Sequence, residues 1–179
     1  MLQPSVSNVP GLVAMLPNVL ALPKEKLGAE RRQMNDMEML SVEVGLKELL
    51  ALTYLCRPSP VNAPSPGGSL VNYPRWAEIY YAGPLINGAR KRYIVVSNDF
   101  WNQQPDRIHL VVRTTTQMKS PGTAFPEIEG GRAQACCGDI TSFKSHSFDM
   151  IDRPTPERLY LADMALVANG LAEVLGIST

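Results

Sequence analysis

Two short stretches of this 179-residue chain hold side chains whose types and spacing could do chemistry. In "KRYIVVSN", residues 91–98, two cations stand at the mouth of a run rich in β-branched residues. An arginine there, Arg92, can grip two oxygens of one phosphate through its planar fork. It can equally be a solvated charge that discourages edge pairing. In "RTTTQ", residues 113–117, Arg113 and Thr115 are two apart and so share a face of any strand. The Thr115 hydroxyl can donate to a phosphate oxygen, although threonine also suits a strand end by shape alone. Arg113 is a second phosphate clamp or a surface charge. Phe100 and Trp101 follow the first stretch; they can stack on bases, but packing is the commoner use of such aromatics.

Other chemistries find little support. No nucleophile–base pair is visible, and the chain has only His109 and His146. Its three cysteines, Cys56, Cys136 and Cys137, are odd in number and two are adjacent, which argues against a disulfide framework and for a reducing, cytoplasmic setting. No CxxC or HxxxH spacing suggests a metal. Lys plus Arg and Asp plus Glu are 17 each, so a broad basic surface is not suggested and any nucleic-acid contact must come from local clusters. The apolar-leaning residues 9–23 are broken by Pro17 and fall short of the roughly 20 a membrane span needs. They lack a basic leader, so a signal peptide is not expected either.

The elements that would position these residues lie after a break. "RPSPVNAPSPGGSLVNYP", residues 57–74, reads as an extended linker. Residues 1–56 before it form an extension that is helical or partly disordered. Its clearest helix is "SVEVGLKELLALTYL", with Ser41 as N-cap, Glu43 in the first turn, and Leu46, Leu49, Leu50 and Thr53 on one face. Residues 75–179 form the main domain. Strands are expected at 76–83, 92–98, 107–117, 124–130 and 132–143, with Gly130-Gly131 making a tight hairpin between the last two. A closing helix has Thr155 as cap, Pro156 at its first position, Gly176 as stop, and a stripe of Tyr160, Met164, Val167, Leu171, Val174 and Leu175. Five strands and one helix suggest a small antiparallel barrel.

From Arg75 to Ile177 the order of pieces resembles the MazF/PemK (Kid) family of toxin endoribonucleases. "RWAEIYY" is similar to the family's opening strand. "RKRYIVVSNDFWN" is similar to its second strand, "VVRTTTQ" to its "VVPCTTQ", and "ACCGDITSF" to its "ALCDQVRSVD". Residues 1–72 have no counterpart. The resemblance implies a mainly β fold with α: an SH3-like antiparallel barrel of the CcdB/MazF type with a C-terminal helix. It implies metal-independent cleavage of single-stranded RNA, in which the ribose 2′-hydroxyl attacks its own phosphate, and no cofactor. It implies a homodimer whose groove holds RNA or a cognate antitoxin. Such a reaction concentrates charge on the phosphate oxygens and needs a cation, hydrogen-bond donors and a proton acceptor.

By resemblance, Arg92 and Thr115 are catalytic. Arg90, Lys91, Arg113, Thr116, Gln117, Asp139 and Trp101 are the expected RNA contacts. The chain departs from the family at three places. Asn87 stands where a glutamate is common, Tyr93 where a proline follows the arginine, and Gly138 at the aspartate of the fourth stretch. Asparagine cannot act as a general base, so Asp139, His146 or Glu78 would have to substitute. A gyrase poison on the same barrel, or an inactive binding module, are the alternatives. The extension is a tail or, less simply, an antitoxin-like segment tethered in cis.

Overall fold

The computed structural model describes residues 35–50, 52, 73–86, 89–103, 108–120, 122–148 and 157–177. Six strands form one antiparallel sheet: β1 (Glu78–Ile86), β2 (Ala89–Val95), β3 (Ile108–Thr115), β4 (Glu127–Ile128), β5 (Ala133–Lys144) and β6 (Glu157–Arg158), in the order β4-β5-β3-β2-β1-β6. The described residues also form helices α1 (Asp36–Leu49), α2 (Asp99–Asn102) and α3 (Leu161–Leu175) and a 3-10 turn at Ser145–Ser147. The expected small antiparallel barrel with a C-terminal helix is present as a curled half-barrel sheet, with β6 added to the five strands expected. Among the described residues, no helix is long and apolar enough to cross a membrane.

Each sheet face has its own core, as strand alternation requires. On one face Ile79, Ile94, Leu110, Val112 and Cys137 pack against Met164, Val167 and Leu171 of α3. On the other, Tyr80, Tyr93, Val95 and Val111 pack with Phe148 and Phe143. The chain is buried on both faces from Tyr93 in β2 to Ser97 just beyond it. Gly170 lets α3 approach the sheet: a Cβ there would lie 2.4 Å from the Thr123 carbonyl oxygen and 2.7 Å from the Cys137 sulfur.

The hairpin at Gly130-Gly131 forms as expected, with φ of 66° and 81°. Glu129 beside them also takes a positive φ, 56°, which a side chain rarely adopts. Gly176 ends α3 in the left-handed region. Thr155 and Pro156 lie outside the described residues. α3 itself begins later than expected, after Tyr160, which makes no side-chain cap bond, because Glu157–Arg158 are taken up by β6. Tyr160 and Val174 of the expected stripe are exposed.

α1 begins before Ser41. Asn35 and Glu38 form a reciprocal capping box that satisfies the first free N–H groups. Ser41 lies inside the helix, its hydroxyl donating to the Met37 carbonyl. Leu46, Leu49 and Leu50 then enter the core shared with α3. The Asn98 N–H donates to the Leu49 carbonyl at 2.8 Å, and the Asn98 side chain donates to the Glu48 carbonyl at 2.5 Å. The described part of the extension is thus docked on the domain. It sits where β2 ends, not where β2 begins, so α1 does not cover Arg92. Thr53 and the expected linker up to Asn72 lie outside the described residues.

Candidate functional site

Strand register decides which candidates meet. Tyr93 pairs with Arg113 and Ala82 with Lys91, so Lys91, Tyr93, Arg113 and Thr115 alternate onto one face at the end of the sheet where β2 begins and β3 ends. Arg92 alternates to the other face, opposite Thr114, whose hydroxyl donates to the Arg92 carbonyl oxygen at 3.3 Å. The two residues expected to be catalytic therefore share an end of the sheet but not a face.

On the first face, the ladder to β5 jumps from Val112↔Ile140 to Arg113↔Cys136. The extra residues form a bulge, which re-aims side chains. Here it brings Asp139 onto Arg113, whose Nε–H donates to the Asp139 carboxylate. The pair is half-exposed, with 27% and 47% of the two side chains open to solvent. The half-buried Thr115 hydroxyl accepts from the Gln117 N–H at 3.1 Å, and Thr116, Gln117, Arg90 and Lys91 are exposed. A Cβ at Gly138 would meet nothing within 4 Å, so the backbone there has space for a first side-chain atom.

On the second face Arg92 is already engaged. Its Nη1 donates to Glu129 at 2.7 Å, and its Nη2 donates to Glu129 at 2.5 Å and to Glu157 at 2.7 Å. The bond from Arg92 holds the Glu129 carboxyl below its usual range, against the opposing effect of burial. Glu129 follows β4 and Glu157 lies in β6, the two edges of the sheet. One guanidinium from the middle of the sheet thus ties both edges together and fixes the curl. Sequence reasoning missed both glutamates. They lie 37 and 65 positions from Arg92, and no local signal links them.

The remaining candidates lie elsewhere. The Trp101 indole N–H donates to the Ile108 carbonyl at 2.8 Å and its ring packs on the core beside α1, at the other end of β2. Phe100 is 78% exposed at that same end. His146 follows β5 near Lys144, which pairs with Ile108, again the far end. Glu78 accepts from the Tyr80 hydroxyl at 2.7 Å and from the Arg75 N–H. Of the proposed substitutes for the missing glutamate, only Asp139 stands beside Arg113 and Thr115. Asn87 lies outside the described residues. Buried Cys137 has its thiol pushed up to about 12 by burial, which suits packing rather than reactivity. Among the described residues no cluster of His, Cys, Asp or Glu could hold a metal ion.

Comparison with solved structures settles the fold. A mycobacterial endoribonuclease superposes with a TM-score of 0.52 at 16% identity, covering 62% of this chain and 99% of its own. A mycobacterial endoribonuclease in complex with its cognate antitoxin gives 0.50 at 16% identity, covering 59% of this chain and 98% of its own. The chain has the MazF-like fold. A MazE–MazF structure from Deinococcus radiodurans matches at 14% identity with a TM-score of 0.46. No family model and no curated protein sequence matches the chain. A MazF-like fold covering about three-fifths of the chain leaves room for α1 as an addition to it.

Proposed function

We propose that this chain is a toxin-type endoribonuclease that cleaves single-stranded RNA, mRNA included, without a metal and is neutralised by a cognate antitoxin. The observation that carries the reading is the convergence of Lys91, Arg113 and Thr115 on one face of a fold shared with endoribonucleases. In the proposed reaction the ribose 2′-oxygen bonds to phosphorus as the bond to the 5′-oxygen breaks, leaving a cyclic phosphate and a free 5′-hydroxyl. Arg113 and Lys91 bind the phosphate oxygens, and the Thr115 hydroxyl donates to them. Asp139, held at Arg113, takes the proton of the attacking hydroxyl, and the departing 5′-oxygen takes a proton from solvent water. Arg90, Thr116 and Gln117 line the strand's path. Arg92, on the opposite face, takes no part in holding this phosphate. A homodimer, by resemblance, would present two such faces.

A second reading, an inactive binding module or a gyrase-type poison, is favoured by one observation: Arg92 is neutralised by Glu129 and Glu157 and faces away from Thr115. Incubating the full chain with single-stranded RNA in EDTA, and analysing the product ends, separates the two. Fragments with cyclic-phosphate and 5′-hydroxyl ends support the nuclease. Intact RNA supports the module.

A further inference from the structure

Arg92 holds two carboxylates that differ in exposure and in the number of bonds they make to it. Glu129 is bidentate, 22% exposed, and anchored through its own N–H, which donates to Asp163 of α3 at 3.1 Å. Glu157 offers one oxygen to Arg92, has 57% of its side chain exposed, and rides on an edge strand of two residues. Among the described residues, that strand pairs with Glu78 and Ile79. Its inner anchor is Leu159, buried, with its N–H on the Ala77 carbonyl at 3.0 Å. The weak contact is therefore the outer one, at a guanidinium already oriented by Glu129. Arg132, whose Nε–H donates to the Glu129 carbonyl at 3.0 Å, and Arg158, next to Glu157 in β6, are both exposed.

A phosphodiester carries the same single negative charge as the Glu157 carboxylate and presents the same kind of oxygen to a guanidinium. Exchanging one for the other leaves the charge around Arg92 unchanged. An exposed ion pair is worth little, so such an exchange is cheap. Accordingly, we propose that Glu157 is a carboxylate latch: it occupies a phosphodiester subsite on Arg92 and swings away when single-stranded RNA binds. The proposal rests on the RNA-cleaving reading above and supplies the step by which Arg92 becomes available. In that exchange Glu157 is the moving part and Glu129 the fixed one.

The test uses the full chain and a 2′-O-methylated single-stranded RNA, which cannot be cut by 2′-hydroxyl attack, with binding read by fluorescence anisotropy in EDTA. Glu157→Gln should tighten binding about fivefold, the factor an exposed ion pair is worth. Glu173→Gln, which removes the same charge at the far end of α3, should change it less than about twofold. In an Arg92→Lys background, which keeps the charge but loses the fork, the gain from Glu157→Gln should disappear. Equal gains from both glutamines, a gain that survives in the lysine background, or no binding by any variant overturns the latch. If the parent cuts unmodified RNA while Glu157→Gln gains nothing, the latch alone fails. If the parent neither cuts nor binds, the RNA-cleaving reading fails with it.

Discussion

Arg92 and Thr115 stand at the same end of the sheet on opposite faces, because β2 and β3 pair with Tyr93 across from Arg113. Arg113, two residues from Thr115, takes the face that Arg92 does not. If Arg113 is the phosphate clamp, Arg113→Ala should lower RNA cleavage about 100-fold or more, the usual loss when one charge-stabilising donor is removed. Far-UV circular dichroism should be unchanged. Measuring cleavage rates of parent and variant at saturating protein decides this.

The edge-tying role of Arg92 predicts a stability effect distinct from activity. Arg92→Ala leaves Glu129, 22% exposed, without its partner. Urea unfolding should show a loss of about 2 kcal/mol, typical of a charged hydrogen-bonded pair that is broken on one side. Glu157→Gln, at the exposed end of the cluster, should cost less than about 1 kcal/mol.

Much of the fold is legible in the sequence, because its signals are local. Gly130-Gly131 and Gly176 mark their turns by conformational freedom, and the β-branched run marks β2. The capping box at Asn35 and Glu38 is equally local, yet it lies in a polar stretch that reads as a weak helix or coil. β6 is two residues long, too short for any periodicity. The site is only half legible. That Arg113 and Thr115 share a face follows from their spacing; that Arg92 does not follows from a register between strands, which no spacing within one strand contains. The carboxylates that hold Arg92 come from the two sheet edges and meet it only through the curl.

His109 gives the pH dependence. It is fully buried, its ring Nδ1 lies 3.1 Å from Asn102 Oδ1, and burial lowers its pKa from 6.5 to about 4. Between those values the unfolded chain binds a proton that the folded chain refuses, so stability falls as pH falls. Glu129 adds to the same trend at lower pH: its contribution, present above 4.5, is lost as the pH drops through its lowered folded pKa. Urea unfolding at pH 7.5 and 5 should differ by about 2 kcal/mol, with the acid condition weaker. His109→Gln should flatten the difference.

Helix α3 has no room for a larger residue at its closest approach. Gly170→Ala puts a methyl group 2.4 Å from a backbone oxygen. Thermal unfolding should fall by an amount equivalent to about 1–3 kcal/mol, as overpacking does, despite alanine's better helix propensity. An unchanged midpoint would mean that α3 sits farther from Thr123 and Cys137.

Helix α1 belongs to the domain's core although the family resemblance begins only at Arg75. Leu50 is 2% exposed within the cluster that α3 also enters. Leu50→Ala should cost about 2–5 kcal/mol. A substitution in a mere tail would cost nothing measurable in the same urea titration.

The account turns on where the scissile phosphate is held. The most direct measurement compares cleavage of one single-stranded RNA in EDTA by the parent and by Arg113→Ala and Thr115→Ala, with folding verified for each. The account predicts cutting by the parent and a loss of about 100-fold or more in the arginine variant, with a smaller loss in the threonine variant. Full activity in both variants, or no cutting by the parent, would contradict it.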